Sequence, residues 1–276
     1  MPELPEVETV KTGLENAVLG KRIQNIKVNR YDLRFPIPQD IGQSLTGRII
    51  KSIERRGKYI VIHSDASLSV ILHLGMSGRI RIFGCGEDYV ARKHDHIIFD
   101  LDDSGCFAFE DPRRFGMLYT VDTDDWTKDR AFASMGPEPL ERWNGEMLHQ
   151  AIVSKKANIK TAMLDQRVVA GLGNIYVCEA LYASGIDPQR QARSLSPQES
   201  KQLVSESKRI LRKAIKAGGS TLRDYQHTDG SLGYFQYQFS VYDREDDVCS
   251  SKGCDERILR ITQAGRSTFY CPACQN

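Results

Sequence analysis

Two stretches of this chain carry residue types whose spacing could do chemistry, one at each end. Near the C-terminal end lie Cys249, Cys254, Cys271 and Cys274. A Cys-x4-Cys knuckle and a Cys-x2-Cys knuckle, sixteen residues apart, can close a tetrahedral thiolate site. The competing reading is four unrelated free thiols. If the site closes, four thiolates leave no open coordination position, so a single bound Zn2+ is expected to be structural. The spacer has strand-like ends and Gln263-Ala-Gly-Arg266 at its tip, which reads as a hairpin presenting Arg266. At the other end, Met1 precedes the small residue Pro2 and is expected to be removed. Pro2 would then carry a free secondary amine. An α-amino group titrates near pH 8 against about 10.4 for lysine, so more of it is unprotonated and nucleophilic at neutral pH. Added to a sugar C1′, such an amine expels the base and leaves an iminium that acidifies the C2′ proton. Glu3 stands beside it as a proton donor or acceptor. Proline and glutamate also suit the first turn of a helix, which is the plainer reading of the dipeptide.

Three further motifs allow two readings each. Gly171-Leu-Gly-Asn174 lies between helical segments; Asn174 as cap would leave backbone N–H groups facing outward as a phosphate site, or the motif is a packed corner. Asp111-Pro-Arg-Arg-Phe-Gly116 places guanidinium groups and a ring in a turn between strands, suited to filling a vacated base position. Alternatively Phe115 folds into the core. Met76, in His73-Leu-Gly-Met-Ser-Gly, is a second wedge or a core methionine.

These residues need elements to hold them. Leu4, Val7, Val10, Leu14 and Val18 recur at helical spacing and Gly20 follows as a stop, which predicts a helix over 4–18. From Arg22 to about Val121 short alternating runs separated by Gly and Asp turns predict antiparallel strands. Asp122 to Asp129 and Gly136-Pro-Glu-Pro read as a linker. Helices are predicted over 145–154, 158–166, 174–184 and 197–217, the last with a capping box at Ser196-Pro-Gln-Glu199 and a stop at Gly218-Gly219. Between Gly218 and Gly233 runs a polar loop long enough to act as a lid.

Length and composition set the outer limits. The 276 residues suffice for two domains, and 40% apolar with 27% charged residues is ordinary globular composition. No apolar run is long enough to span a bilayer, and the N-terminus lacks a basic-then-apolar signal pattern, so a cytoplasmic protein with no membrane contact is expected. The net charge of +2 is small, but thirteen Lys/Arg face only five Asp/Glu between Ala151 and Arg223. That surplus is a footprint for phosphate or a solvated helix face. Cys85, Cys106 and Cys178 are expected to be buried thiols. Without heptads or an unexplained apolar surface, a monomer is expected.

Taken together, these features resemble the bacterial formamidopyrimidine-DNA glycosylase (Fpg/MutM) family. The similarity starts with Met1-Pro-Glu-Leu-Pro-Glu-Val-Glu-Thr-Val and runs through Arg56-Gly-Lys58-Tyr, His73-Leu-Gly-Met-Ser-Gly, Lys93-His-Asp-His and Asp111-Pro-Arg-Arg-Phe-Gly. It continues in Leu164 to Tyr176, in Gly218-Gly-Ser-Thr-Leu-Arg-Asp, in Gly233-Tyr-Phe and in the terminal Cys271-Pro-Ala-Cys-Gln.

The resemblance implies an α+β, multi-domain fold. An N-terminal antiparallel β-sandwich with an N-terminal helix (1–130) would be followed by a helix–two-turn–helix domain (131–238) and a four-cysteine β-hairpin zinc finger (239–276). Its implied activity is excision of oxidised purines, 8-oxoguanine and formamidopyrimidines, from double-stranded DNA, with strand cleavage at the resulting or pre-existing abasic site. In that scheme Pro2 is the Schiff-base nucleophile and Glu3 the proton donor for base release. Lys58 assists β-elimination and grips phosphate, and Arg266 serves δ-elimination. His73, His94, Arg113, Lys155, Lys160 and Asn174 contact DNA. Met76, Arg113 and Phe115 fill the gap left by the flipped nucleotide, and the loop 218–233 caps the extruded base. A sister group of the endonuclease VIII kind, acting on oxidised pyrimidines, shares Pro-Glu and the finger but usually opens Pro-Glu-Gly-Pro. Leu4 and the Arg-Arg-Phe turn here favour the purine branch. A zinc-containing damage sensor without catalysis would need Pro2, Glu3 or Lys58 to be lost, and all three are present. One departure from the family is the first knuckle, Cys-x4-Cys where Cys-x2-Cys is usual.

Overall fold

A helix that begins almost at the first residue is held by its apolar stripe. The computed structural model describes residues 1–220 and 233–276 and divides them into two compact units, 1–133 with 217–234 and 134–216 with 235–276. In the first unit, α1 (Leu4–Val18) buries Leu4, Val7, Val10, Leu14 and Val18. Those at i, i+3, i+4 spacing line one face, and Gly20 follows at φ +79. Two antiparallel four-stranded sheets complete the unit. One has the order β1 (Ile23–Val28), β6 (Asp95–Leu101), β7 (Cys106–Glu110), β5 (Arg79–Phe83). The other runs β2 (Ile50–Arg56), β3 (Tyr59–Ser64), β4 (Leu68–His73), β8 (Met117–Asp122). Their inner faces share one core with α1, including Ile53, Ile60, Leu72, Phe99, Phe107 and Leu118. Apolar burial of this extent, at roughly 25 cal/mol per Å², is the main force holding the sandwich.

Three expectations change here. A short helix, α2 (Ile41–Leu45), interrupts the stretch predicted to be all strand, because Ile41 and Leu45 at i, i+4 drop into the core. Segment 122–129 is packed: Trp126 meets Phe132 edge-on at 5.1 Å and His63 at 5.8 Å. Cys85 is exposed and not buried, since it sits in the Gly84–Gly86 turn with polar Glu87 and Asp88 following. Cys106 and Cys178 are buried as expected.

The second unit holds α3 (Gly145–Ile152), α4 (Ile159–Leu164), α5 (Asn174–Ala183), α6 (Pro197–Lys216) and the hairpin β9 (Leu259–Gln263)–β10 (Arg266–Tyr270). The capping box forms as the sequence predicts, with Ser196 N–H donating to Glu199 Oε2 at 2.7 Å and Glu199 N–H to Ser196 Oγ at 3.2 Å. Helix α6 buries Leu203, Val204, Ser207, Ile210, Leu211 and Ala214. Lys201, Arg209, Arg212, Lys213 and Lys216 remain exposed, so much of the positive surplus lies on a solvated helix face. The loop expected over 218–233 falls mostly on residues 221–232, outside the described residues. Its flanks pair across an isolated bridge between Ser220 and Tyr234.

Candidate active site and metal centre

In the first unit, Pro2 and Glu3 head α1 and are both buried, Glu3 being 2% exposed. Glu6 anchors this end, accepting the Glu3 backbone N–H on Oε2 at 2.8 Å. Its Oε1 accepts the N–H and the hydroxyl of Ser220 at 2.8 and 2.9 Å. The helix head and the start of the 218–233 segment therefore share one carboxylate. Lys58 occupies the tip of the β2–β3 hairpin. Arg56 pairs with Tyr59, which leaves a two-residue turn whose first position has φ +59, filled by Gly57.

Across β3 and β4, Tyr59 pairs with His73, and His73 with Met117 of β8. The His73 and Tyr59 rings lie 4.6 Å apart. Burial, with the cations Lys58 and Arg34 adding to it, lowers the His73 pKa to about 4, so the ring is neutral at physiological pH. Its Nδ1 accepts the Gly75 N–H at 3.0 Å, which places the remaining proton on Nε2 and makes that nitrogen a donor.

The turn 111–116 and the segment 74–78 form one assembly. Asp111, fully buried, accepts the Ser77 hydroxyl at 2.6 Å and the Gly116 N–H at 2.7 Å. Ser77 Oγ in turn accepts the Arg113 N–H at 3.1 Å. At Gly75, with φ +64, a Cβ would lie 2.5 Å from the backbone of Phe115 and Gly116, so only glycine lets the two segments touch. Phe115 is 43% exposed with the Arg113 guanidinium 5.0 Å from its ring centroid, which removes the core reading of Phe115. Met76 is half-buried at the neighbouring bend, and His94 is half-buried just before β6.

In the second unit, Lys155 lies after α3, partly exposed, with its ammonium 3.4 Å from Asp165. Lys160 departs from expectation. It is 0% exposed, and its Nζ donates to the Ser267 carbonyl at 3.0 Å and to Thr268 Oγ1 at 2.7 Å. An ammonium so enclosed holds the β10 strand and offers no surface to a phosphate. Asn174 is the first residue of α5; the cap position belongs to Gly173. Its Nδ2 donates to the same Ser267 carbonyl at 2.8 Å. The Gly171–Gly173 corner is buried and closed by Gln166, whose Oε1 accepts the Gly171 N–H and whose Nε2 donates to the Leu172 carbonyl. The motif is a packed corner, with half-exposed Asn174 at its edge. Arg266 is exposed at the hairpin turn, one residue from the Ser267 carbonyl that Lys160 and Asn174 both grip.

The four clustered cysteines come together. Their sulfurs all lie within 4.8 Å of one another, with Cys249–Cys274 at 3.8 Å and Cys254–Cys271 at 3.7 Å. Disulfides are far shorter. A tetrahedron with bonds of about 2.3 Å to thiolate sulfur has sulfur–sulfur edges near 3.8 Å, so the cluster fits a metal ion despite the longer first knuckle. Cys249 and Cys271 share a small core with Cys178, Val241, Ile258 and Phe269.

Sequence reasoning assigned no role to Glu6, Ser77 or Asp111. A glutamate three residues after Glu3 was the available signal for the first. Nothing in the sequence pointed to the Ser77–Asp111 bond across 34 positions.

Comparison with known proteins adds three findings. Residues 1–118 match the family described as formamidopyrimidine-DNA glycosylase N-terminal domain, and residues 135–226 the formamidopyrimidine-DNA glycosylase H2TH domain. Proteins named formamidopyrimidine-DNA glycosylase from Jannaschia sp. and Afipia carboxidovorans are 47% and 44% identical, each alignment covering all of both chains. Among solved structures, a Lactococcus lactis FPG mutant bound to DNA containing Fapy-dG superposes with TM-score 0.91 at 34% identity. MutM bound to DNA containing carbocyclic 8-oxo-G superposes at 0.90 and 35%, both covering the full chains. No described helix is long and apolar enough to cross a membrane.

Proposed function

The chain belongs to the formamidopyrimidine-DNA glycosylase family, and we propose that it cuts oxidised purines out of double-stranded DNA with the mature N-terminal proline as nucleophile. It is a base-excision DNA glycosylase whose partner is lesion-bearing DNA. In this reading the Pro2 amine attacks C1′ of the extruded nucleotide and the C1′–N bond breaks. Glu3 gives its proton to the departing base. The resulting iminium acidifies C2′. Loss of that proton breaks the C3′–O bond, assisted by Lys58, and a second elimination, served by Arg266, breaks the C5′–O bond; water then hydrolyses the iminium, which frees the sugar fragment and restores the Pro2 amine.

The observation that carries the chemistry is the placement of Pro2 and Glu3 on a helix head anchored by fully buried Leu4, Val7 and Val10. A nucleophile on a rigid element is pre-positioned for attack. While Met1 is attached, the Pro2 nitrogen is an amide and cannot attack, so methionine removal belongs to the mechanism. Neutral His73, donating from Nε2, grips phosphate beside Lys58. His94, Arg113, Lys155 and Asn174 make further DNA contacts, with Met76, Arg113 and Phe115 filling the vacated space. Lys160, in view of its burial, serves by holding the strand that carries Arg266. Zinc is the metal we assign to the four thiolates, because a soft, closed, tetrahedral sulfur set suits it. Domain limits of 1–130, 131–238 and 239–276, a capping role for 218–233 and a cytoplasmic location belong to the same reading.

Borohydride trapping tests it. Wild-type protein on 8-oxoguanine duplex should give a covalent adduct, and Pro2→Gly should lower its yield sharply. An unchanged yield, or fully active protein that retains Met1 by mass spectrometry, refutes the mechanism. A panel of 8-oxoguanine against thymine glycol checks the purine preference.

A further inference from the structure

The first unit carries a concave surface that none of these roles uses. A concavity of about 240 Å3 is lined by Arg34, Phe35, Tyr59, Met117, Tyr119 and Arg130, with Ala131. It continues the surface that bears Lys58 and His73. Tyr59 follows Lys58 in the chain and faces His73 across β3–β4. His73 in turn faces Met117, and Tyr119 stands two residues further along β8, on the same side of the sheet as Met117.

Its charge is only partly balanced from within, two guanidinium groups standing against the one carboxylate of Asp129. Asp32, two residues from Arg34, pairs instead with Arg30 and Arg114. Asp129, next to Arg130, accepts the Tyr119 hydroxyl at 2.8 Å and the Ala131 N–H at 2.9 Å. Neither Arg34 nor Arg130 forms an ion pair with a carboxylate among the described residues. The Arg130 guanidinium sits 4.6 Å from the centre of the Phe35 ring, which orders it while leaving its N–H edge free to donate. Burial raises the Tyr59 pKa, so its hydroxyl stays a neutral donor. Two guanidinium groups beside one concavity repel each other until an anion joins them. Planar N–H forks with a hydroxyl donor match the oxygens of a phosphodiester, and the aromatic walls suit the adjoining sugar.

We propose that Arg34, Arg130 and Tyr59 form a subsite for a backbone phosphate of the lesion strand, next to the one gripped at Lys58. The subsite rests on the glycosylase reading above and extends its footprint along one strand by a defined phosphodiester.

The test titrates wild type and the double variant Arg34→Gln/Arg130→Gln with duplexes carrying a stable abasic-site analogue, from about 50 to about 200 mM salt. A series of such duplexes replaces one phosphate at a time by a neutral methylphosphonate on either side of the lesion. Both arginines are exposed, so the variant keeps its core. The expected result is a loss of binding on the order of tenfold, with a salt slope shallower by about 0.9. One methylphosphonate position should weaken wild type and leave the variant unaffected. Equal sensitivity of both proteins at every position overturns the proposal, as does a loss spread evenly over all positions. Borohydride trapping by wild type, run alongside, separates the two ideas. No adduct defeats the glycosylase reading, whereas an adduct without the position-specific effect defeats the subsite alone.

Discussion

His73 and Asp111 show how single side chains decide what neighbouring groups can do. The depressed His73 pKa is itself a statement about stability. The unfolded ring titrates near 6.5 and the folded one at about 4, so the unfolded state binds more protons between those values. The stability contributed by neutral His73 is present above pH 6.5 and is lost as pH falls through about 4. Urea midpoints measured across that window should drop less steeply for His73→Gln than for wild type; parallel curves would refute the assignment. Asp111 is a stronger case because it is fully buried with two donors aimed at it. Asp111→Asn turns one acceptor oxygen into a donor and strands a buried hydrogen bond, at about 1–3 kcal/mol. Ser77→Ala should cost about 1 kcal/mol and release the Arg113 backbone. If Met76, Arg113 and Phe115 act as one wedge, Ser77→Ala should slow base excision from an intact duplex more than strand cleavage at a preformed abasic site. Equal slowing would reduce Ser77 to a purely structural residue.

The element that most changes the reading of the sequence is the β9–β10 hairpin. Arg266 was expected at the tip of a hairpin, and Lys160 to contact DNA. In the folded chain two helices reach the hairpin through one carbonyl, Lys160 from α4 and Asn174 from α5. Lys160→Met keeps most of the packed stem and loses the ammonium hydrogen bonds. It should therefore lower stability by about 1–3 kcal/mol and slow cleavage, while the salt slope of DNA binding stays at the wild-type value. A slope shallower by about 0.9 would restore Lys160 as a phosphate ligand.

For the whole molecule, the four clustered cysteines could hold a metal ion, and the finger would then be conditional on it. Four thiolates in a small shared core have little to hold them without an ion, and a structural zinc contributes on the order of 10 kcal/mol to folding in isolated fingers. Chelation should abolish strand nicking and disorder the finger, while the sandwich, whose core holds none of these cysteines, keeps its far-ultraviolet strand signal. Full activity after verified metal removal would end the role given to the finger.

What the sequence determined by itself was what depends on local spacing. The α1 stripe, the alternating strands, the Ser196 capping box, the hairpin and the cysteine cluster all followed from period and turn chemistry, which neighbouring residues specify among themselves. Order along the chain also sufficed to identify the family, since its motifs lie in short runs. The tertiary structure alone decided the partners of polar groups. Whether Lys160 meets solvent or a carbonyl depends on Ser267, 107 positions away, and the neutrality of His73 on how completely β3 and β8 cover it. Hydrogen bonds and desolvation act over a few ångströms of space, and spacing along a chain does not specify which distant residue will fill them.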